Sequence, residues 1–321
     1  MPPPRDQQIL VKAARLYYEE GRSQNEIATT LSVSRSSVSR MLTAARERGI
    51  VQIQINDPAG RDLDLEGELS ERFGLRDCRV AEVRGTDRPL GRVGELGARW
   101  LLERIKPGQR IGVSWGQGVQ AVVQHIPDEG GHDVEVLPLV GGLSAVDSAI
   151  SGEELVRDLA GRLGGRSQRL LAPAVVTSKA GRDVLLAEPA ILSTLDAAKR
   201  AQVAVVGIGT VGHGSSATLL DAMNLTAEER VSFDAARPMG DVCARFFDAD
   251  GHPVTGPVDD RVLAVSLADL AAIPTVAGVA VGQEKAGGVL GALRAKVLDV
   301  LLCDTALARA LLTGTQEVGS R

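Results

Sequence analysis

The chain has 321 residues and 44% apolar content, enough for about two domains at the usual domain size. Aromatics make up only 2%, so Val, Leu, Ile and Ala must build the core, and no apolar run approaches the roughly 18 residues of a membrane span. Net charge is −5, which on its face argues against a nucleic-acid partner. Three distant cysteines (Cys78, Cys243, Cys303) fit neither a disulfide framework nor a CxxC zinc site. The start, Met1-Pro-Pro-Pro-Arg-Asp6, has no apolar signal core. A cytoplasmic protein with reduced thiols is the expectation.

The charge is unevenly placed. Residues 1–56 carry eight Lys/Arg against five acids, and the remainder 28 against 36. A basic small module on an acidic larger one suggests DNA contact at one end. Residues 6–20 place Ile9, Ala13, Leu16 and Tyr17 on one helical face, and Gly21 ends it. Ser23 with Glu26 three residues on predicts a capping box, opening a short helix from Gln24 to Leu31 that buries Ile27, Ala28 and Leu31. After the turn at Ser32–Ser34, Arg35–Arg48 reads as a second helix with Val38, Met41, Leu42 and Ala45 inward. This is helix-turn-helix spacing. Arg35, Ser36, Ser37, Ser39 and Arg40 then face outward at the start of the recognition helix, with Ser23, Gln24 and Ser34 at the helix starts as further DNA contacts. The bland alternative is a three-helix protein-interaction module with solvated arginines. Ile50–Ile55 alternates like a half-buried strand, the wing of a winged helix, and Asp57–Gly60 breaks the chain. Leu65, Leu69 and Phe73 then form an amphipathic stripe that either pairs two subunits or packs on the next domain.

From about residue 78, β-rich runs alternate with helical segments. Candidate strands are Cys78–Val83, Arg110–Ser114, Val134–Val140, Leu170–Val176, Val203–Gly207, Val242–Phe247, Val262–Ser266, Val276–Val281 and Val300–Cys303. Helices are expected over about 89–105, 117–126, 152–163, 180–199, 284–297 and 304–313. Such alternation implies a mostly parallel, Rossmann-like α/β sheet, whose ligands bind at the carboxyl ends of the strands. Four loops there are rich in Gly or polar groups: Ile111–Gly118, Gly141-Gly142, Gly207–Gly214 and Gly282–Lys285. Glycine lets backbone N–H groups approach an anion. Any one loop alone reads as a tight turn; four at one sheet edge predict a pocket. Lys285 in a first helical turn opposes the helix dipole, which fits capture of a ligand anion or a solvated surface lysine. Asp241 after Gly240 is either an acceptor for a sugar hydroxyl or part of a turn leading into a strand. His213 could donate to a ligand, whereas His125, His132 and His252 read as surface residues. No lysine lies between Lys106 and Lys179, so a Schiff-base nucleophile in the early loops is excluded, and no metal-ligand spacing appears.

Over nearly its full length the chain resembles the SorC family of sugar-responsive bacterial transcription regulators. The match rests on SQNEIATTLSVSRSSVSRMLTAARERGIV, IGVSWGQG, LPLVGGL, VAVVGIGT, GDVCARFFDADG, DRVLAVSLADL and VAVGQEKAGGVLGALRAKVLDVLLCD, the last being the most specific. The resemblance implies a helix-turn-helix joined to an effector domain similar in fold to sugar-phosphate isomerases and deaminases. It also implies a homotetramer (a dimer being the other expectation), operator DNA as partner, a small sugar-like effector and no cofactor. It puts a phosphate-cradling loop on Ser114, Trp115, Gly116, Gln117 and Gly118, with Gly141-Gly142 beside it. A second loop falls on Gly207, Gly209 and Thr210, a carboxylate near the sugar hydroxyls on Asp241, and a phosphate lysine on Lys285. Members often read Gly-Arg-Thr or Gly-Thr-Thr where this chain has Gly116-Gln117-Gly118, and some carry Arg or Asn at Val140. A phosphate dianion thus finds fewer charge-assisted partners, each worth roughly 1.5–3 kcal/mol. The effector is left open between a sugar phosphate, a neutral sugar or polyol, and a singly charged acid. Expected boundaries are 1–57 for the winged helix-turn-helix, 58–77 for a linker or oligomerisation helix and 78–321 for the effector domain. The rival from another class is a sugar-phosphate isomerase or deaminase with an accessory DNA-binding head, and a third is an interaction scaffold without a DNA role.

Overall fold

The computed structural model describes residues 4–51, 60–83, 88–128, 130–143 and 152–314. They fall into two compact units, Met1–Asn56 and Asp57–Arg321. In the smaller, α1 (Pro4–Ala14) buries Leu10, Ala13 and Ala14, and a π-helical segment, Arg15–Glu19, carries it on with Leu16 inward. Next, α2 (Gln24–Leu31) opens on the anticipated capping box: Ser23 N–H donates to Glu26 Oε2 at 2.8 Å, and Glu26 N–H donates to Ser23 Oγ at 3.4 Å. Two orphan donors are thereby satisfied. Ser32, in the left-handed region at φ 52°, closes α2, and Ser34 Oγ accepts from Ser37 N–H at 3.1 Å to start α3 (Arg35–Glu47). Ala13, Leu16, Ile27, Ala28, Val38 and Leu42 form the core of this unit. Of the strand expected at Ile50–Ile55, Ile50 and Val51 form a bend packed against Leu10, Ala14 and Ala45; positions 52–55 lie outside the described residues.

The larger unit begins with α4 (Leu63–Phe73), β1 (Asp77–Ala81), α5 (Pro89–Arg104), β2 (Arg110–Val113), α6 (Gln117–His125) and β3 (Glu135–Pro138). It continues with α7 (Gly152–Leu163), β4 (Arg166–Ser167), α8 (Lys179–Ala187), α9 (Pro189–Ala198), β5 (Val203–Gly207), β6 (Gly209–Thr210), α10 (Gly214–Met223) and α11 (Ala227–Ala235). It ends with β7 (Pro238–Val242), β8 (Arg245–Asp248), α12 (Leu267–Ala271), β9 (Val276–Val279), α13 (Ala286–Arg294), β10 (Val300–Asp304) and α14 (Thr305–Thr313). Seven strands make a parallel sheet in the order β1-β10-β9-β5-β2-β3-β4. The central strands β10, β9 and β5 are apolar on both faces because both are covered, whereas the edge strand β4 is polar and exposed. Val203 and Val205 of β5 enter one core with Ile111, Val136 and Leu302, while Ala204 and Val206 enter the other with Leu137, Leu301 and Cys303. In the same second core Leu69 of α4 is fully buried, with Leu65 and Phe73 beside it, so the stripe of Leu65, Leu69 and Phe73 packs on its own domain. A small antiparallel sheet, β6-β7-β8, stands apart from the main one.

Several expected elements take another form. Leu170–Val176 and Val262–Ser266 are not ladder strands: they make isolated bridges, Gly142 with Pro173, Val175 with Val262 and Val140 with Ala264. Both are straps: in the first Ala172 and Ala174 turn inward while Leu171 and Pro173 are exposed, and in the second Val262, Leu263 and Val265 are buried. The helix over 180–199 breaks at Glu188-Pro189, since proline disfavours helical backbone in the residue before it. The single strand at Val242–Phe247 is a hairpin, with Cys243 (φ 52°) and Ala244 (φ 62°) both left-handed in the two-residue turn between β7 and β8. Helices α10, α11 and α12 were not anticipated.

Candidate functional site

In the parallel sheet the chain leaves β2 toward β3 and β4 on one side, and leaves β5 toward β9 and β10 on the other. Loops after β2 and β5 therefore diverge, and such a switch point opens a ligand crevice beyond the strand ends. Ser114 ties the two ends together. Its N–H donates to Val205 O at 3.1 Å, and its buried Oγ accepts from Gly207 N–H at 2.9 Å. A cavity of about 160 Å³ lies here, near the ~150 Å³ that accepts one benzene ring.

Ser114, Trp115, Gly116, Gln117 and Gly118 line one wall, Gly207 and Gly209 a second, and Asp241 and Lys285 the far side. Gly116 is at φ 137° and caps α6 without a side chain, a backbone open to glycine almost alone. Gly209 is required for a different reason: a Cβ there would sit 2.0 Å from Asp241 Oδ1 and 2.2 Å from Ser216 Oγ. That gap lets Ser216 Oγ–H donate to Asp241 Oδ1 at 2.5 Å, while Ala244 N–H donates to Oδ2 at 3.2 Å. Asp241 is 5% exposed and Ser216 1%. Burial pushes the Asp241 carboxyl above the usual carboxylate range, opposed by those two hydrogen bonds and by the charge of Lys285. Cys243, also in the lining, is a buried thiol pushed well up by desolvation and by Asp241, so it is not a nucleophile. Lys285 ends a one-turn helix, Gln283–Lys285, set by Gly282, whose N–H donates to buried Asp304 at 2.9 Å. It is half-buried and, among the described residues, lies within ion-pair distance of no carboxylate.

Gly141, Gly142 and Thr210 do not line the cavity; Val140 does. Gly141 N–H donates to Leu263 O at 2.9 Å and Gly141 O accepts from Trp115 Nε1–H at 3.0 Å, so this loop holds the tryptophan from behind. Thr210 pairs with Gly240 in the small sheet. His213 is exposed at the start of α10. Reading the sequence missed Ser215, Ser216 and Cys243. The paired serines of Gly214-Ser215-Ser216, opening a helix just after a flagged loop, were the available signal; Cys243 arrives through a hairpin no local pattern announced.

On the smaller unit Ser23, Ser34, Arg35, Ser36, Ser39 and Arg40 are exposed, while Gln24 and Ser37 are half-buried. Val38, Leu42 and Ala45 of α3 face inward.

A helix-turn-helix unit and an α/β unit with a small cavity of mixed polar and apolar lining at its switch point define a ligand-sensing regulator. Comparisons with known proteins agree. The sugar-binding domain family matches residues 57–313, and sigma-70 region 4 matches residues 3–48. The sorbitol operon regulator of Klebsiella pneumoniae is 32% identical over 315 residues, covering 96% of this chain and 98% of the relative. The deoxyribonucleoside regulator of Bacillus subtilis is 33% identical over 311 residues, 95% of this chain and 97% of the relative. The crystal structure of full-length SorC from Klebsiella pneumoniae superposes with a TM-score of 0.73 at 31% identity, covering 96% of this chain and 99% of that one. The chain belongs to the SorC family of sugar-binding transcriptional regulators. Among its described residues no helix is long and apolar enough to cross a membrane.

Proposed function

We propose that this regulator binds operator DNA through α2 and α3 and that a small sugar-like molecule in the switch-point cavity alters that binding. Ser23, Gln24, Ser34, Arg35, Ser36, Ser37, Ser39 and Arg40 are its DNA contacts. Ser114–Gly118, Gly207, Gly209, Asp241 and Lys285, joined by Ser215 and Ser216, are its effector contacts. One observation carries the effector reading: Lys285, whose ammonium has no ion pair among the described residues, shares a ring-sized cavity with a buried, hydrogen-bonded carboxyl, Asp241. Such a site offers charged N–H donors to an anion or hydroxyl at one end of a ligand and carboxyl oxygens to a hydroxyl at the other. The reading is of a receptor, not an enzyme. An isomerase or deaminase needs a proton-transferring group poised at a substrate carbon; among the described lining residues the ionisable groups are Asp241, Cys243 and Lys285, and the Asp241 carboxyl is already engaged by Ser216 and Ala244. The protein is cytoplasmic and a homotetramer or dimer, and a ligand moves its equilibrium only as far as it prefers one arrangement.

A thermal-shift screen of sugars, polyols and their phosphates tests this, since a ligand at 100 times its Kd adds about 2.7 kcal/mol. Lys285→Ala is expected to lose the response to anionic ligands and keep that to neutral ones. A wild type that responds to no compound, or that turns over a pentose or hexose phosphate, refutes the receptor reading.

A further inference from the structure

The exposed face of α3 separates its arginines by role. Val38, Leu42 and Ala45 mark the inward direction. At 3.6 residues per turn, Ser36, Arg40, Thr43 and Glu47 then lie within about 50° of the outward one. All four are exposed. Arg40 is therefore the long side chain at the middle of the outward stripe, with the short hydroxyl residues Ser36 and Thr43 on the neighbouring turns, which leave room for close approach to a groove floor. Glu47 closes the stripe with a negative charge, so the N-terminal half of the helix is the half that phosphates tolerate. Arg35, at the first position of α3, lies on the helix flank, about 50° from the inward direction.

Charge pairing points the same way. Arg15 is paired with Glu19 at 3.7 Å and Arg22 with Glu20 at 2.8 Å, which mutes the positive field before α2. Arg35 and Arg40 have no ion pair among the described residues, so their guanidinium groups are uncommitted.

We infer that Arg40 reads a guanine in the major groove and that Arg35 holds a phosphate. The inference rests on the DNA-binding reading above and adds which residue carries sequence preference. A planar fork of donors matches guanine O6 and N7 and no other base edge as well; a flank arginine at a helix start meets the backbone, which carries no sequence information.

The test is selection of duplexes from a random-sequence pool by the full-length protein, with and without a mixture of sugars and sugar phosphates. Arg40→Ala should select a motif in which one G·C pair per recognition helix has lost its preference, a loss of roughly 5- to 150-fold at that pair, with the other positions intact. Arg40→Lys should lose the same preference while keeping the salt dependence, because the charge remains and the fork does not. Arg35→Ala should keep the whole motif, bind every site more weakly and flatten the salt slope by about one. Unchanged preference at every position in Arg40→Ala, or loss of a base preference in Arg35→Ala, overturns the assignment and leaves DNA binding standing. A wild type that enriches no sequence overturns both.

Discussion

Gly209→Ala is a one-carbon change whose effect can be worked from geometry. The new methyl would meet Asp241 Oδ1 at 2.0 Å and Ser216 Oγ at 2.2 Å, and neither oxygen has room to withdraw, because Asp241 is 5% exposed and Ser216 1%. Overpacking of this kind costs about 1–3 kcal/mol. Separating the Ser216–Asp241 pair leaves a buried carboxyl without a partner, for about 1–3 kcal/mol more. The expected loss is thus roughly 2–6 kcal/mol. At about 2–4 °C per kcal/mol for a unit of this size, even the lower bound lowers Tm by about 4–8 °C. Gly161→Ala in α7 is the matched control: its Cβ meets nothing within 4 Å, so that change should stabilise by up to about 1 kcal/mol. Differential scanning calorimetry of both variants against wild type decides the matter. A Gly209→Ala transition within about 1 °C of wild type would mean that the Asp241–Ser216 cradle is loose, and the cavity wall derived from it would fall.

Three further outcomes follow from the same site and its surroundings. Asp241 has a folded pKa raised above its ordinary 3.8 by burial, so its contribution is present below that value and lost as pH rises through the folded pKa. Relative to Asp241→Asn, whose amide can donate to Ser216 and accept from Ala244, wild type should therefore lose stability with rising pH by at most about 1.4 kcal/mol per unit; parallel stability–pH curves for the two would exclude a raised carboxyl. Trp100 is 1% exposed and Trp115 lines the cavity, so ligand should change emission through Trp115. In Trp115→Phe the calorimetric response should persist while the fluorescence response disappears; a retained fluorescence change places the ligand elsewhere. Arg261, 9% exposed, donates to Met223 O at 3.1 Å and to Glu229, so Arg261→Ala should cost roughly 3 kcal/mol in a denaturant titration, and a loss below about 1 kcal/mol would show that water replaces the guanidinium.

What could be read in advance depended on how far apart the interacting residues lie in the chain. The capping box at Ser23 and Glu26 is a contact across three positions, so its residue types announce it. The inner part of the parallel sheet was legible because its strands, apolar on both faces, carry their own signature; the exposed edge strand β4, Arg166-Ser167, has none and was not anticipated. The straps at Leu170–Val176 and Val262–Ser266 share the composition of the inner strands, yet they find only single bridges at Pro173, Val175, Val262 and Ala264. Apolarity reports burial, and burial alone does not distinguish a ladder from a packed loop.

The same distinction divides the site. Ser114, Gly116 and Gly207 follow strands whose order fixes the crevice, so finding the strands found them. Asp241 was recognised as a residue but not as a member of a network. Its partners come from α10 and from a hairpin turn made by Cys243 and Ala244 at φ 52° and 62°, where Asn-Gly is the usual signal. Two consecutive left-handed residues with side chains cost conformational energy, and here both are buried, at 4% and 1% exposure. Such strain persists only where the surroundings over-determine it. The contacts that hold it include the hydrogen bond from Ala244 to Asp241, so the turn and the carboxyl support each other. Replacing Cys243-Ala244 by Asn-Gly should relieve the turn yet set a larger, polar amide where the buried Cys243 thiol lines the cavity, weakening the ligand response; a response equal to that of wild type would show that this turn does not shape the cavity.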